Sequence, residues 1–262
     1  MKLKISNTQQ LIVFFVLAFG IGWLAFIPAA LYHFYPTQGA FIYLFSPAIA
    51  GLITALLVDG VAGVRVVLGR YLLWKFPVKG YALAIALIPA IFLVAGAELV
   101  AENHKPLWTG SPWYFVVASF GFLMFINSGE EIGWRGFALP RLQSVIKSPL
   151  QAGIVLGVFW GLWHLPVYLD PQQSSFPLVL FLLFILGLSI IYSALFQLTN
   201  GSLLAAVLLH AGTDIAPRFM QIANFSALSW AIVVILTWIS AMVFYFATKR
   251  REHETSSGTL RN

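Results

Sequence analysis

Three short groups of polar residues interrupt otherwise apolar stretches of this chain, and their side chains are those of hydrolytic chemistry. The first reads Asn127-Ser128-Gly129-Glu130-Glu131-Ile132-Gly133-Trp134-Arg135. On a continuing helix Glu131 and Arg135 stand at i and i+4, a spacing at which they pair, whereas Glu130 lies about 100° round the helix without such a partner. Glu130 is thus the carboxylate more free to act as a base. The second group is Trp160-Gly161-Leu162-Trp163-His164, in which His164 is the lone ionisable residue of its apolar run. The third is His210-Ala211-Gly212-Thr213-Asp214, whose His210 and Asp214 again share one helix face.

Glu, His, His and Asp from three segments fit the activation of a water for attack on an amide. A carboxylate serves as general base, a second group positions the water, and an imidazole supports the oxyanion. The same donors also fit a divalent metal such as zinc held by Glu130, His164 and His210 with one position open. The helical His-Glu-x-x-His arrangement of soluble zinc proteases is absent. Each group has a structural reading as well: an ion pair at a helix end, a packed histidine, a helix-surface pair. Their joint occurrence favours a site, because a charged side chain in mid-bilayer costs about 2.5–3.5 kcal/mol even on lenient scales.

The elements that must position these groups are membrane helices. Of 262 residues, 60% are hydrophobic and 9% charged, with a mean hydropathy of +0.88; so little charge cannot wet the surface of a soluble globule. Apolar runs near 11–32, 40–58, 80–101, 112–129, 149–169, 177–198, 202–216 and 226–247 predict an all-α, polytopic bundle of about eight transmembrane helices. A single membrane domain over 1–248, with its chemistry within about 112–216, and a disordered tail over 249–262 complete the expectation. The first run is longer than a secretory signal core and reads as a retained helix.

The net charge of +6 follows topology rather than nucleic acid. With both termini cytoplasmic, all but Lys105 and Arg218 of the 15 lysines and arginines fall on the cytoplasmic side, Arg135 among them. The implied setting is a multi-pass protein of the cell membrane, with lipid bilayer as partner and no nucleic acid. The chain has no cysteine, which excludes disulfides, thiolate metal sites and a cysteine nucleophile.

On these residues the chain resembles the CPBP family of intramembrane proteases, also called the Abi or CAAX-protease family, which includes the type II prenyl-protein endopeptidases. The family's two glutamates followed after three residues by arginine match Glu130, Glu131 and Arg135. Its Phe-x-x-x-His is met at His164 with Trp160 in the aromatic position, and its His-x-x-x-Asn or Asp at His210 and Asp214. The resemblance covers about residues 125–215. It implies cleavage of a peptide bond in a membrane-anchored peptide or protein: Glu130 activates water with His164, His210 and Asp214 line the oxyanion side, and Glu131, Arg135 and Trp160 support them. Metal-dependent and glutamate-dependent mechanisms both remain open.

Two further readings stand beside it: a non-catalytic immunity or partner-binding protein, and a proton-coupled transporter, which lacks the expected internal repeat. One geometric tension also arises. If the fourth helix ended at Glu131, Glu130, His164 and His210 would lie at different depths. Helix is therefore expected to continue in part through 132–142, with the site opening toward the cytoplasm.

Overall fold

A computed structural model describes residues 3–33, 37–103, 107–169 and 176–259. Lys2, Lys105, Arg261 and the turn at Asp170 fall outside them. With no water in the hydrocarbon core, backbone N–H and C=O groups must pair within their own segment, and an apolar chain accordingly folds as helices. These are α1 (Asn7–Leu31), α2 (Thr37–Asp59), α3 (Val61–Gly69), α4 (Val78–Asn103), α5 (Trp113–Glu131), a π-helical stretch (Ile132–Ala138), α6 (Leu139–Ile146), α7 (Pro149–Trp163), α8 (Leu178–Leu198), α9 (Leu203–Phe219) and α10 (Ala227–Thr259). Among the described residues there is no strand, only an isolated bridge between Trp108 and Met220.

Local sequence sets several boundaries. Ser6 and Gln9 form a reciprocal capping box on α1, and Ser148 and Ser202 cap α7 and α9 through the backbone N–H groups of Gln151 and Ala205. Lys147 (φ 59°) ends α6 in the left-handed region, and the α8–α9 turn uses Asn200 and Gly201 at φ 57° and 84°.

Among the described residues seven helices are long and apolar enough to cross a membrane, fewer than the eight expected. The exception is α9, at 17 residues. It nevertheless runs from one end of the bundle to the other. At its start, Arg70 donates to Gly201 O (3.5 Å) and Arg251 to Leu198 O (2.8 Å); at its finish, Thr109 N–H donates to Phe219 O (3.0 Å) and Gln221 N–H to Leu107 O (2.9 Å). The first of these ends also holds Arg141, bonded to Gln10 (2.7 Å) and 3.6 Å from Asp59.

Two expectations about helix ends are revised or met here. Helix continues past Glu131 through the π-helical stretch and α6, so one segment of 34 residues spans Trp113–Ile146. The tail expected to be disordered is helical as far as Thr259. Its first turns are held by an i,i+4 pair of Arg250 with Glu254 (2.9 Å) and by Arg251, which donates to the last carbonyls of α8.

Candidate functional site

Small residues flanking the polar ones fix which way each helix faces. A Cβ added at Gly133 would sit 2.2 Å from Pro47 O, and one at Gly129 2.7 Å from Leu44 O. The α5 and π-helical backbones therefore lie directly on α2, and the carboxylates turn toward α7 and α9. Gly212 plays the same part in α9, where a Cβ would come 2.7 Å from Ile85 O of α4. The end of α7 is fixed by aromatic donors: Trp23 Nε1–H and Tyr43 O–H both donate to Trp163 O (3.1 Å each). A carbonyl orphaned by the helix end is thereby satisfied inside the bundle.

These placements bring the three groups together. Glu130 is buried, and its Oε2 accepts a hydrogen bond from the indole N–H of Trp160 (2.7 Å). Glu131 Oε1 accepts from both Arg135 Nη1 (2.9 Å) and His210 Nδ1 (2.8 Å), with Glu131 and Arg135 fully enclosed. The Arg135 guanidinium lies between two ring faces, 4.1 Å from the centroid of Trp160 and 4.0 Å from that of Tyr192. His164 Nδ1 is 2.8 Å from Trp160 O. A carbonyl only accepts, so Nδ1 carries the hydrogen and a neutral His164 presents Nε2 as an acceptor. Trp160 is the common neighbour, its ring 5.7 Å from His164 and 5.6 Å from His210.

The depth conflict disappears because Glu130 lies near the middle of the 34-residue segment rather than at its end. Three sequence expectations change. Arg135, counted as a cytoplasmic loop charge, is 0% exposed in the bundle interior. Asp214, expected beside His210 on the oxyanion side, has its Oδ2 3.9 Å from His210 Nε2, beyond hydrogen-bond range, and accepts instead from Asn127 Nδ2 (2.9 Å), so that Glu131 is the carboxylate that orients His210. Finally, Asp214 is the exposed edge of the cluster, its side chain 38% accessible. It lines a surface cavity of about 340 Å³ with Leu123, Pro217 and Arg218. That mouth lies toward the far end of α9, opposite the end that collects Arg70, Arg141 and Arg251, and not toward the basic side as expected.

The metal site considered from sequence would draw on Glu130, His164 and His210. Among the described residues no three His, Asp or Glu side chains converge as ligands would. His210 Nδ1 and Glu130 Oε2 are already engaged by Glu131 and Trp160. Three members of the cluster escaped sequence reasoning in part or whole. The motif marks Trp160 as a supporting aromatic, with no sign that its N–H reaches Glu130. Asn127, one helical turn before Glu130, shares its face and offered a signal; Tyr192 offered none.

Comparison with known proteins converges on the same segment. Residues 111–216 match the family described as type II CAAX prenyl endopeptidase Rce1-like. CAAX prenyl protease 2 of Methanococcus maripaludis is 34% identical over 96 residues, a stretch that covers 34% of this chain and 35% of that relative. The similarity thus spans about a third of the relative's length. Residues 111–216 are thus similar to that family over this stretch, and every residue of the cluster from Asn127 to Asp214 lies within it.

Proposed function

We propose that this protein is an intramembrane endopeptidase that hydrolyses a peptide bond of a membrane-anchored peptide or protein, without a metal. A prenylated C-terminus, the substrate class in the names of its relatives, is the first to try. The observation that carries the reading is one buried carboxylate, Glu130, tied by Trp160 to the neighbourhood of His164 and His210.

Water bound between Glu130 Oε1 and His164 Nε2 gives a proton to Glu130 as its oxygen attacks the scissile carbonyl carbon. The carbonyl π electrons move to oxygen, and a protonated His210 Nε2, held in place through Nδ1 by Glu131 and Arg135, donates to that oxyanion. On collapse the C–N bond breaks, and Glu130 returns its proton to the departing nitrogen. Each amide bond thus consumes one water and yields one acid and one amine. Asp214 stays beside Asn127 at the mouth, its Oδ2 3.9 Å from His210 Nε2.

The test is cleavage of a farnesylated C-terminal peptide by the purified protein in liposomes, followed by mass spectrometry. Glu130→Gln and His210→Ala are each expected to lower the rate by about 10²–10⁴-fold while melting as the wild type does. Unchanged cleavage by Glu130→Gln refutes the assignment. A chelator that abolishes wild-type cleavage, with zinc restoring it, overturns the metal-free mechanism.

A further inference from the structure

A second cavity, of about 700 Å³, lies between α4, α8 and α10 at the basic end of the bundle. It shares no residue with the catalytic cluster. Its rim carries Lys75 and Lys79 from the approach to α4 and Arg250 and Arg251 from the end of α10, against the single carboxylate of Glu254. Arg250 is the partner of Glu254 (2.9 Å), and Arg251 is fixed on Gln197 O (3.1 Å) and Asn200 Oδ1 (2.7 Å). The two lysines are exposed and reach no acidic side chain among the described residues. Below this rim the wall turns apolar. Leu83 and Val243 remain 39% and 63% exposed, with buried Phe244 beside them.

We propose that this cavity binds an anionic phospholipid, its phosphodiester against Lys75 and Lys79 and an acyl chain along Leu83 and Val243. Depth favours that occupant. The cations sit where the candidate spans Val78–Ala101 and Ala227–Arg251 begin and end, and the apolar wall starts one to two turns inside them. A phospholipid presents its phosphate and acyl chain in the same order at the bilayer interface. A soluble anion would use only the rim, and a purely apolar guest only the wall.

The full-length protein is to be placed in nanodiscs of phosphatidylcholine carrying a graded fraction of phosphatidylglycerol, with melting temperature and lipid retained in native mass spectrometry as readouts. Wild type is expected to retain phosphatidylglycerol and to melt higher as its fraction rises, with no comparable effect of inorganic phosphate. Lys75→Gln with Lys79→Gln should weaken retention by about thirtyfold, roughly fivefold per basic residue. Lys4→Gln with Arg65→Gln, the same charge change outside the cavity, should leave retention unaltered. Leu83→Trp, which fills the apolar wall and keeps every charge, should also lower retention, and it tests the site if the double lysine variant does not fold. Equal loss in both double variants, an equal shift with phosphate alone or with phosphatidylcholine alone, or full retention by Leu83→Trp overturns the proposal. None of these readouts depends on proteolysis.

Discussion

At the scale of single residues, Trp160 is the position on which the site turns. The family pattern offers phenylalanine there, and a phenyl ring would fill the same wall but could not donate to Glu130 Oε2. Losing a hydrogen bond to a charged group costs about 1.5–3 kcal/mol. Trp160→Phe is therefore expected to lower kcat by about tenfold to a hundredfold, with KM little changed, as steady-state cleavage kinetics would report; a wild-type kcat would show that Glu130 is placed without the indole. Asp214→Asn should be mild by comparison, within about tenfold of wild type, because an amide can still meet Asn127 and Glu131 already holds His210. If Asp214→Asn matched Glu130→Gln in severity, Asp214 would belong to the chemistry. Glu130, His164 and His210 were legible in the sequence because ionisable groups are costly among apolar residues. The indole of Trp160 and the phenol of Tyr192 were not, since aromatics are common in membrane helices and nothing in a linear pattern separates a ring that donates to a carboxylate from one that faces lipid.

At the scale of elements, helix-to-helix distance is what holds those side chains in register. Gly133 lets the π-helical stretch rest on the backbone of α2, so Gly133→Ala forces a methyl group against Pro47 O, an atom that cannot swing aside. Overpacking of this kind costs about 1–3 kcal/mol or more, and the variant is expected to melt lower and to lose cleavage as Glu130 shifts. Gly121, on the same helix, has nothing within 4 Å of an added Cβ, and Gly121→Ala should be neutral or stabilising by a few tenths to about 1 kcal/mol. Equal melting temperatures for the two variants would remove the argument. Apolar periodicity alone revealed the helices but not this close approach. The run ending near 129 looked like a complete span, and only the demand that Glu130, His164 and His210 meet pointed to helix beyond it. Its π-helical form, a type of turn often found at functional sites, left no mark in residue composition.

At the scale of the whole molecule, the charged loops and the site mouth lie at opposite ends. Lys4, Arg70, Arg141 and Arg251 gather at one end, while Arg218 is the basic residue at the other among the described residues, beside Asp214. If the positive-inside rule holds, both termini are cytoplasmic and the exposed edge of the polar cluster faces away from the cytoplasm. The absence of cysteine makes that readable with single-cysteine variants in intact cells and a membrane-impermeant maleimide. Thr109→Cys and Arg218→Cys should label before lysis and Lys4→Cys only after it. Labelling of Lys4→Cys alone before lysis would invert the orientation. Protection of both Thr109→Cys and Arg218→Cys in intact cells, with labelling after lysis, would place the mouth on the cytoplasmic face, where a substrate made inside the cell reaches it without crossing the bilayer. Either result decides from which side the scissile bond must arrive.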